Sequence, residues 1–141
     1  QLTLSQKFPV SGAVIVTTPQ DIALADAKKG VEMFRKVNIP VLGMIENMSM
    51  HICSQCGHAE HIFGEEGAER LAETYNTRVL GSLPLSKYIR EMSDDGTPVV
   101  AADDCSEVSM MYRHAARNMA VALQRQTQQA PAAPVIQISD E

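Results

Sequence analysis

Two thiols and their neighbours hold the chemistry most readily visible in this 141-residue sequence. In the run His51-Ile-Cys-Ser-Gln-Cys-Gly-His58, Cys53 and Cys56 stand three residues apart and Gly57 follows them. A tight turn at that spacing aims both sulfurs at one point, offers main-chain N–H groups to the thiolates, and uses glycine where φ becomes positive. The pair reads as two ligands for one metal ion or cluster. The same C-x-x-C spacing also occurs in zinc sites and in thioredoxin-like redox sites. Redox chemistry wants the pair at the start of a helix, where the dipole lowers a thiol pKa, and the loop residues after Gly57 do not look like a helix start. His58 and His61 lie close enough in sequence to favour zinc over redox, yet C-x-x-C-x-H-x-x-H is too compressed to wrap four ligands around one ion.

The remaining reactive side chains have plainer readings. His51, His58 and His61 serve as polar loop residues, His114 faces solvent in the middle of a helix, and Cys105 fills a small position beside a helix N-cap. No G-x-x-x-x-G-K-[ST] phosphate loop occurs in these 141 residues, and none of the 8 glycines is followed by lysine. The sequence alone is therefore expected not to hydrolyse ATP. The 8 methionines are scattered over apolar faces and a loop, as packing residues are.

Composition narrows the partners. A net charge of -5 without a Lys/Arg cluster excludes nucleic acid, which needs a basic surface to displace phosphate counterions. Hydrophobic residues make up 45% and charged residues 21%, with no apolar run of membrane length, so a globular domain in water is expected and a membrane is not a partner. Three cysteines, two of them adjacent in function, suit a reducing compartment better than a disulfide framework. With no signal peptide pattern at the front, the cytoplasm is the expected location. The first residues, Gln-Leu-Thr-Leu-Ser, show neither a helix cap nor a strand pattern, and the sequence is expected to be cropped or processed there.

The elements that must position the thiols follow from periodicity. Residues Ala13 to Thr17, Val41 to Glu46 and Arg78 to Leu83 are short apolar runs without strict alternation, as strands covered on both faces are. Between the first two, Leu24, Ala27, Val31 and Phe34 place one apolar face on a helix from about Gln20 to Val37, and Pro40 blocks its continuation. A second helix is predicted from about Glu65 to Tyr75, a short one from Lys87 to Ser93, and a long one after Asp104. That last helix takes Asp104 as N-cap, Glu107 as the capping-box partner, and Val108, Met111, Ala115, Met119 and Leu123 as its apolar face. The fold class is α/β: part of an open, mostly parallel sheet flanked by helices. Residues 1–126 form the folded part, with the Cys-x-x-Cys loop at 48–63, and the Gln/Ala/Pro-rich residues 127–141 are expected to be a disordered tail.

In order and spacing, GAVIVTTPQDIALADAKKGVEMF, IPVLGMIENMS, CSQCG, HIFGEEGAERLAE, LGSLPL and IRE resemble the C-terminal half of the Mrp/ApbC family, from about Gln1 to Leu123. These are P-loop ATPases related to MinD and the nitrogenase iron protein. The resemblance implies a cytosolic homodimer that carries a [4Fe-4S] cluster to apo iron-sulfur proteins, with ATP and magnesium needed in the full-length parent. It implies Cys53 and Cys56 as cluster ligands, Asn47 as a contact to the adenine base, and Pro84 at the border of that base. Read without the resemblance, Asn47 ends one strand and Pro84 another. The phosphate loop, its lysine and the acidic switch segment would lie upstream of Gln1, and Ser54 stands where many members have proline. A [4Fe-4S] cluster takes four thiolates and each loop supplies two, so a homodimer through the Cys53/Cys56 loop is implied. The alternatives are a zinc-stabilised structural or interaction module and a thiol redox enzyme.

Overall fold

β1 (Ala13–Thr17), α1 (Asp21–Lys36) and β2 (Val41–Glu46) build the expected β-α-β unit, within a computed structural model that describes residues 3, 7–103 and 105–129. Asp21 in the first turn of α1 and Arg35 with Lys36 in its last turn oppose the ends of the helix dipole. The helix stops at Val37, Asn38 takes φ 57, and Pro40 leads directly into β2. Beyond β2 come a two-stranded antiparallel hairpin, β3 (His51–Ile52) with β4 (Ala59–Glu60), then α2 (Gly67–Thr74) and β5 (Val79–Ser82). α3 (Lys87–Asp94), α4 (Val99–Ala102) and α5 (Glu107–Gln129) complete the described chain.

The main sheet has the order β1-β2-β5, and both pairs are parallel. Ile15 and Val79 are both register partners of Met44, so the three share a face. On that face Ile15 and Met44 join Ala27, Val31, Ala72 and Tyr75 in the core beneath α1 and α2, with Val79 packed against them. A register shift after Met44 leaves Leu80 as the extra residue, so Ile45 pairs with Gly81 and the next register row, Val16-Ile45-Gly81, faces the other way. There α5 lies close against the sheet: a Cβ added to Gly81 would fall 2.6 Å from the Ala115 Cβ. Asn118 Nδ2 donates to the Leu80 carbonyl at 2.8 Å and fixes the helix along the strand.

This close approach bears out Ala115 on the expected face of α5 and corrects its C-terminal part. Met119 and Leu123 are 39% and 38% exposed, whereas Ser109, Ala115 and Ala122 are buried. A helix seated against bare glycine backbone leaves room only for small side chains, and these carry a weaker hydropathy signal than Met or Leu. The cap expected at Asp104 lies outside the described residues. Ser106 sits directly before the helix, and its Oγ accepts the Ser109 N–H at 3.2 Å. α5 runs to Gln129, past the position where a tail was expected to begin, and residues 130–141 lie outside the described residues.

Among the described residues β1 has a single sheet neighbour, β2, and Val16 on its far face is 61% exposed. A strand paired on one side only leaves an edge whose N–H and C=O groups can take a further strand. Among the described residues no helix is long and apolar enough to cross a membrane.

Candidate metal centre

Parallel pairing delivers the C-terminal ends of β2 and β5 to the same edge of the sheet, where open α/β folds place their ligands. The two segments stay paired past the strands. Leu83 N–H donates to the Glu46 carbonyl at 2.8 Å, Ser49 N–H to the Leu83 carbonyl at 2.9 Å, and Leu85 N–H to the Met50 carbonyl at 2.7 Å. Asn47 and Pro84, which the family resemblance assigned to adenine, therefore stand on adjacent segments of this edge. The Asn47 side chain caps its own turn, its Oδ1 accepting the Met48 N–H at 3.0 Å where Met48 takes φ 56.

From that edge β3 and β4 carry the cysteines outward on a hairpin that sequence periodicity did not reveal, because two-residue strands are too short to show alternation. The turn is closed by Cys53 N–H donating to the His58 carbonyl at 2.9 Å and by Gly57 N–H donating to the Cys53 carbonyl at 2.9 Å. Gly57 has φ 71, the left-handed conformation expected of it. Cys53 is half-buried, Cys56 is exposed, and both are free thiols. The Cys53 thiol is held below its ordinary range, first by the Gln55 N–H, then by the Cys56 N–H and the Cys56 side chain. Turn amides therefore favour the thiolate, which is the form that ligates metal. The pair sits in a hairpin turn, without the helix N-terminus that a thioredoxin-like redox site would use.

The histidines take separate places. His61 Nδ1 bonds the Ser49 carbonyl at 2.8 Å and His51 Nδ1 lies 3.4 Å from the Leu85 carbonyl, so both rings engage main chain. His58 contributes its carbonyl to the turn. Cys105 is exposed near the start of α5, its N–H donating to Asp103 Oδ1 at 3.1 Å. Among the described residues no group of three or more His, Cys, Asp and Glu is arranged to hold a metal ion.

One charged residue at this edge was missed from sequence. Glu46, the last residue of an apolar strand, is 4% exposed and accepts the Ala68 N–H at 2.7 Å through Oε2. Burial pushes its carboxyl up from the ordinary value; the Ala68 bond opposes this, Glu69 adds to it, and His61 and Arg70 oppose it. Glu69 Oε2 is itself buried without a hydrogen-bond partner. A carboxylate that ends an otherwise apolar run was the available signal.

With the geometry established, comparison with known proteins adds a family. Residues 1–120 match the ParA family, described as NUBPL iron-transfer P-loop NTPase. An iron-sulfur cluster carrier protein of Pseudomonas fragi is 64% identical over 82% of this chain and 40% of its own length. The protein of the same name from Escherichia coli K12 is 59% identical over 87% of this chain and 33% of its own length. The iron-sulfur cluster transfer protein NUBPL of mouse is 57% identical over 82% of this chain and 36% of its own length. The chain thus spans well under half of the curated relatives it matches. Among solved structures, an Archaeoglobus fulgidus nucleotide-binding protein in complex with ADP shares 36% identity over 61% of this chain and 35% of its own, with a TM-score of 0.53. The Pyrococcus furiosus cell division ATPase MinD, at 22% identity and a TM-score of 0.61 over 79% of this chain and 43% of its own, shares the fold.

Proposed function

Because this chain belongs to the NUBPL iron-transfer P-loop NTPase family, we propose that it serves as the cluster-holding part of an iron-sulfur cluster carrier. The observation that carries this reading is the hairpin turn itself. Cys53 and Cys56 share one tight turn, and the amides of Gln55 and Cys56 favour the Cys53 thiolate. Soft thiolates are the ligands that iron-sulfur clusters use. The cargo is a [4Fe-4S] cluster, and two chains meeting at their Cys53/Cys56 loops supply its four thiolates. Delivery to an apo iron-sulfur protein is ligand exchange without net redox change. Each bond from iron to Cys53 or Cys56 is replaced by one to an acceptor cysteine, and the acceptor's proton passes to the departing thiolate.

ATP binding and hydrolysis belong, in this reading, to a longer protein that includes a phosphate loop. Asn47 and Pro84 would then border the adenine base at the sheet edge from which the hairpin springs. The 141 residues alone do not turn ATP over, because positioned charges around the γ-phosphate carry phosphoryl transfer and no phosphate-loop motif is among them. The free thiols of Cys53 and Cys56 suit work in the reducing cytoplasm.

Anaerobic reconstitution with ferrous iron and sulfide tests the proposal. The native chain is expected to develop iron-sulfide charge-transfer absorption and to pass its iron to an apo-ferredoxin. Cys53→Ser and Cys56→Ser should do neither. A chain that retains only zinc and transfers nothing would be a zinc-stabilised module instead.

A further inference from the structure

The geometry points to His61 as a positioning residue that latches the cysteine hairpin onto the strand edge carrying Asn47 and Pro84, so that loading of the thiols is felt at that edge. Ser49 is where the hairpin and the edge meet. It is 2% exposed, and on one side it is gripped by Leu83, whose carbonyl accepts both the Ser49 N–H at 2.9 Å and the Ser49 Oγ at 3.1 Å. On its other side the Ser49 carbonyl meets His61 Nδ1 at 2.8 Å. His61 belongs to the return limb of the hairpin, one residue past β4, while the outgoing limb is tied to Leu85 by main-chain pairing.

The two limbs thus grip the edge by different means. The outgoing limb is held first by backbone pairing to Leu85, which the His51 ring only supplements at 3.4 Å, whereas the return limb depends on the 2.8 Å bond from a side chain that only certain residues could replace. A cluster drawing Cys53 and Cys56 together stiffens the turn between the limbs, since metal-ligand bonds supply free energy that orders a loop. Through His61 that order reaches Ser49, two residues from Asn47, and through Leu83 it reaches the neighbour of Pro84. His61 is surface-exposed and Glu46, which it faces, is bonded independently to Ala68, so truncating His61 leaves the core untouched.

This inference rests on the carrier reading, and amide hydrogen exchange resolved at Ser49 and Leu85 separates the two. Four proteins are compared, unloaded and after anaerobic treatment with ferrous iron and sulfide: native, His61→Ala, His61→Asn and Cys53→Ser. Asparagine carries an amide N–H near the position of imidazole Nδ1 and should restore the bond. In the unloaded state Ser49 exchange is expected to be roughly fivefold faster in His61→Ala than in the native chain, the factor carried by losing one ordinary hydrogen bond. His61→Asn should return to the native rate. On loading, the native and His61→Asn proteins should gain protection at Ser49 and Leu85. His61→Ala should bind the same iron but gain protection only within residues 51–60. Equal unloaded rates in all three His61 forms, or unchanged transmission in His61→Ala, would overturn the latch. Native protein that binds no iron would instead defeat the carrier reading, and the unloaded rates would still decide the latch.

Discussion

The Cys53 carbonyl accepts the Gly57 N–H at 2.9 Å, and Gly57 reaches that position only through φ 71. A Cβ at residue 57 would meet nothing within 4 Å, so the demand for glycine is conformational and not steric. An L-residue in the left-handed region is strained by about 1–2 kcal/mol. Gly57→Ala should therefore open the cysteine turn without disturbing the core. Chelator competition on iron-loaded protein is expected to show roughly tenfold weaker retention, that strain expressed as an equilibrium ratio. The melting temperature of the unloaded chain should change little, and a large fall would mean that the turn supports the fold itself.

The lowered Cys53 thiol sets a direction for pH dependence. A folded-state value below the unfolded one favours the thiolate, so its contribution is present above the ordinary thiol range and is lost as pH falls through the lowered value. Alkylation of Cys53 by iodoacetamide should accordingly persist to lower pH than for an unstructured peptide of residues 50–60. Unfolding in urea should abolish the difference. Cys56→Ser should narrow it without removing it, because the Gln55 N–H is the largest cause.

Glu46 carries the opposite sign. Its carboxyl is raised by burial, so the folded chain retains a proton that the unfolded chain has already released. Stability should fall as pH rises from the ordinary carboxylate value through the raised one. Glutamine can still accept the Ala68 N–H without bringing a charge into the edge. Glu46→Gln is expected to melt higher than the native chain at neutral pH, with the gap closing on acidification. A gap of the same size at both pH values would show that burial of the charge is not its origin.

The fit of α5 to the sheet can be probed at Gly81. Its added Cβ would lie 2.6 Å from the Ala115 Cβ and 3.2 Å from the Ala115 Cα. Gly81→Ala should thus destabilise by about 1–3 kcal/mol, the usual range for overpacking. Pairing it with Ala115→Gly should give a double variant less destabilised than the sum of the two single changes, read from urea midpoints. Strict additivity would mean that the two positions do not meet.

Legibility in the sequence followed the strength of each local signal. β1 and β2 were delimited to the residue because apolar runs ended at Pro, Gly or Asn, and α1 was placed to within one residue at each end because Leu24, Ala27, Val31 and Phe34 repeat at helical spacing. The cysteine turn was legible from its spacing and from Gly57. The α5 face was read correctly at Ala115 but without Ser109 and Ala122, whose small side chains matter through the space they leave and not through hydropathy. The hairpin strands and the grip on Ser49 were not legible. The former are two residues long, and the latter joins His61, Ser49 and Leu83 through a fold that had first to be built.

The last prediction concerns how many chains hold one cluster. Cys53 and Cys56 share one turn, and ligation of a [4Fe-4S] cluster takes about four thiolates, so one hairpin fills about half a site. Cys56 is exposed and Cys53 only half-buried, so a second hairpin can approach the same point without unfolding either. A two-fold axis through the cluster would make the contact isologous, each chain contributing the same two residues. Reconstituted protein should therefore contain about two irons per chain and sediment as a dimer, while chelation of iron should return it to the state of the unloaded chain. Cys105→Ser should leave both the iron content and the dimer unchanged, and Cys53→Ser or Cys56→Ser should abolish both. About four irons per chain in a monomer would assign the whole cluster to one chain and remove the bridging geometry.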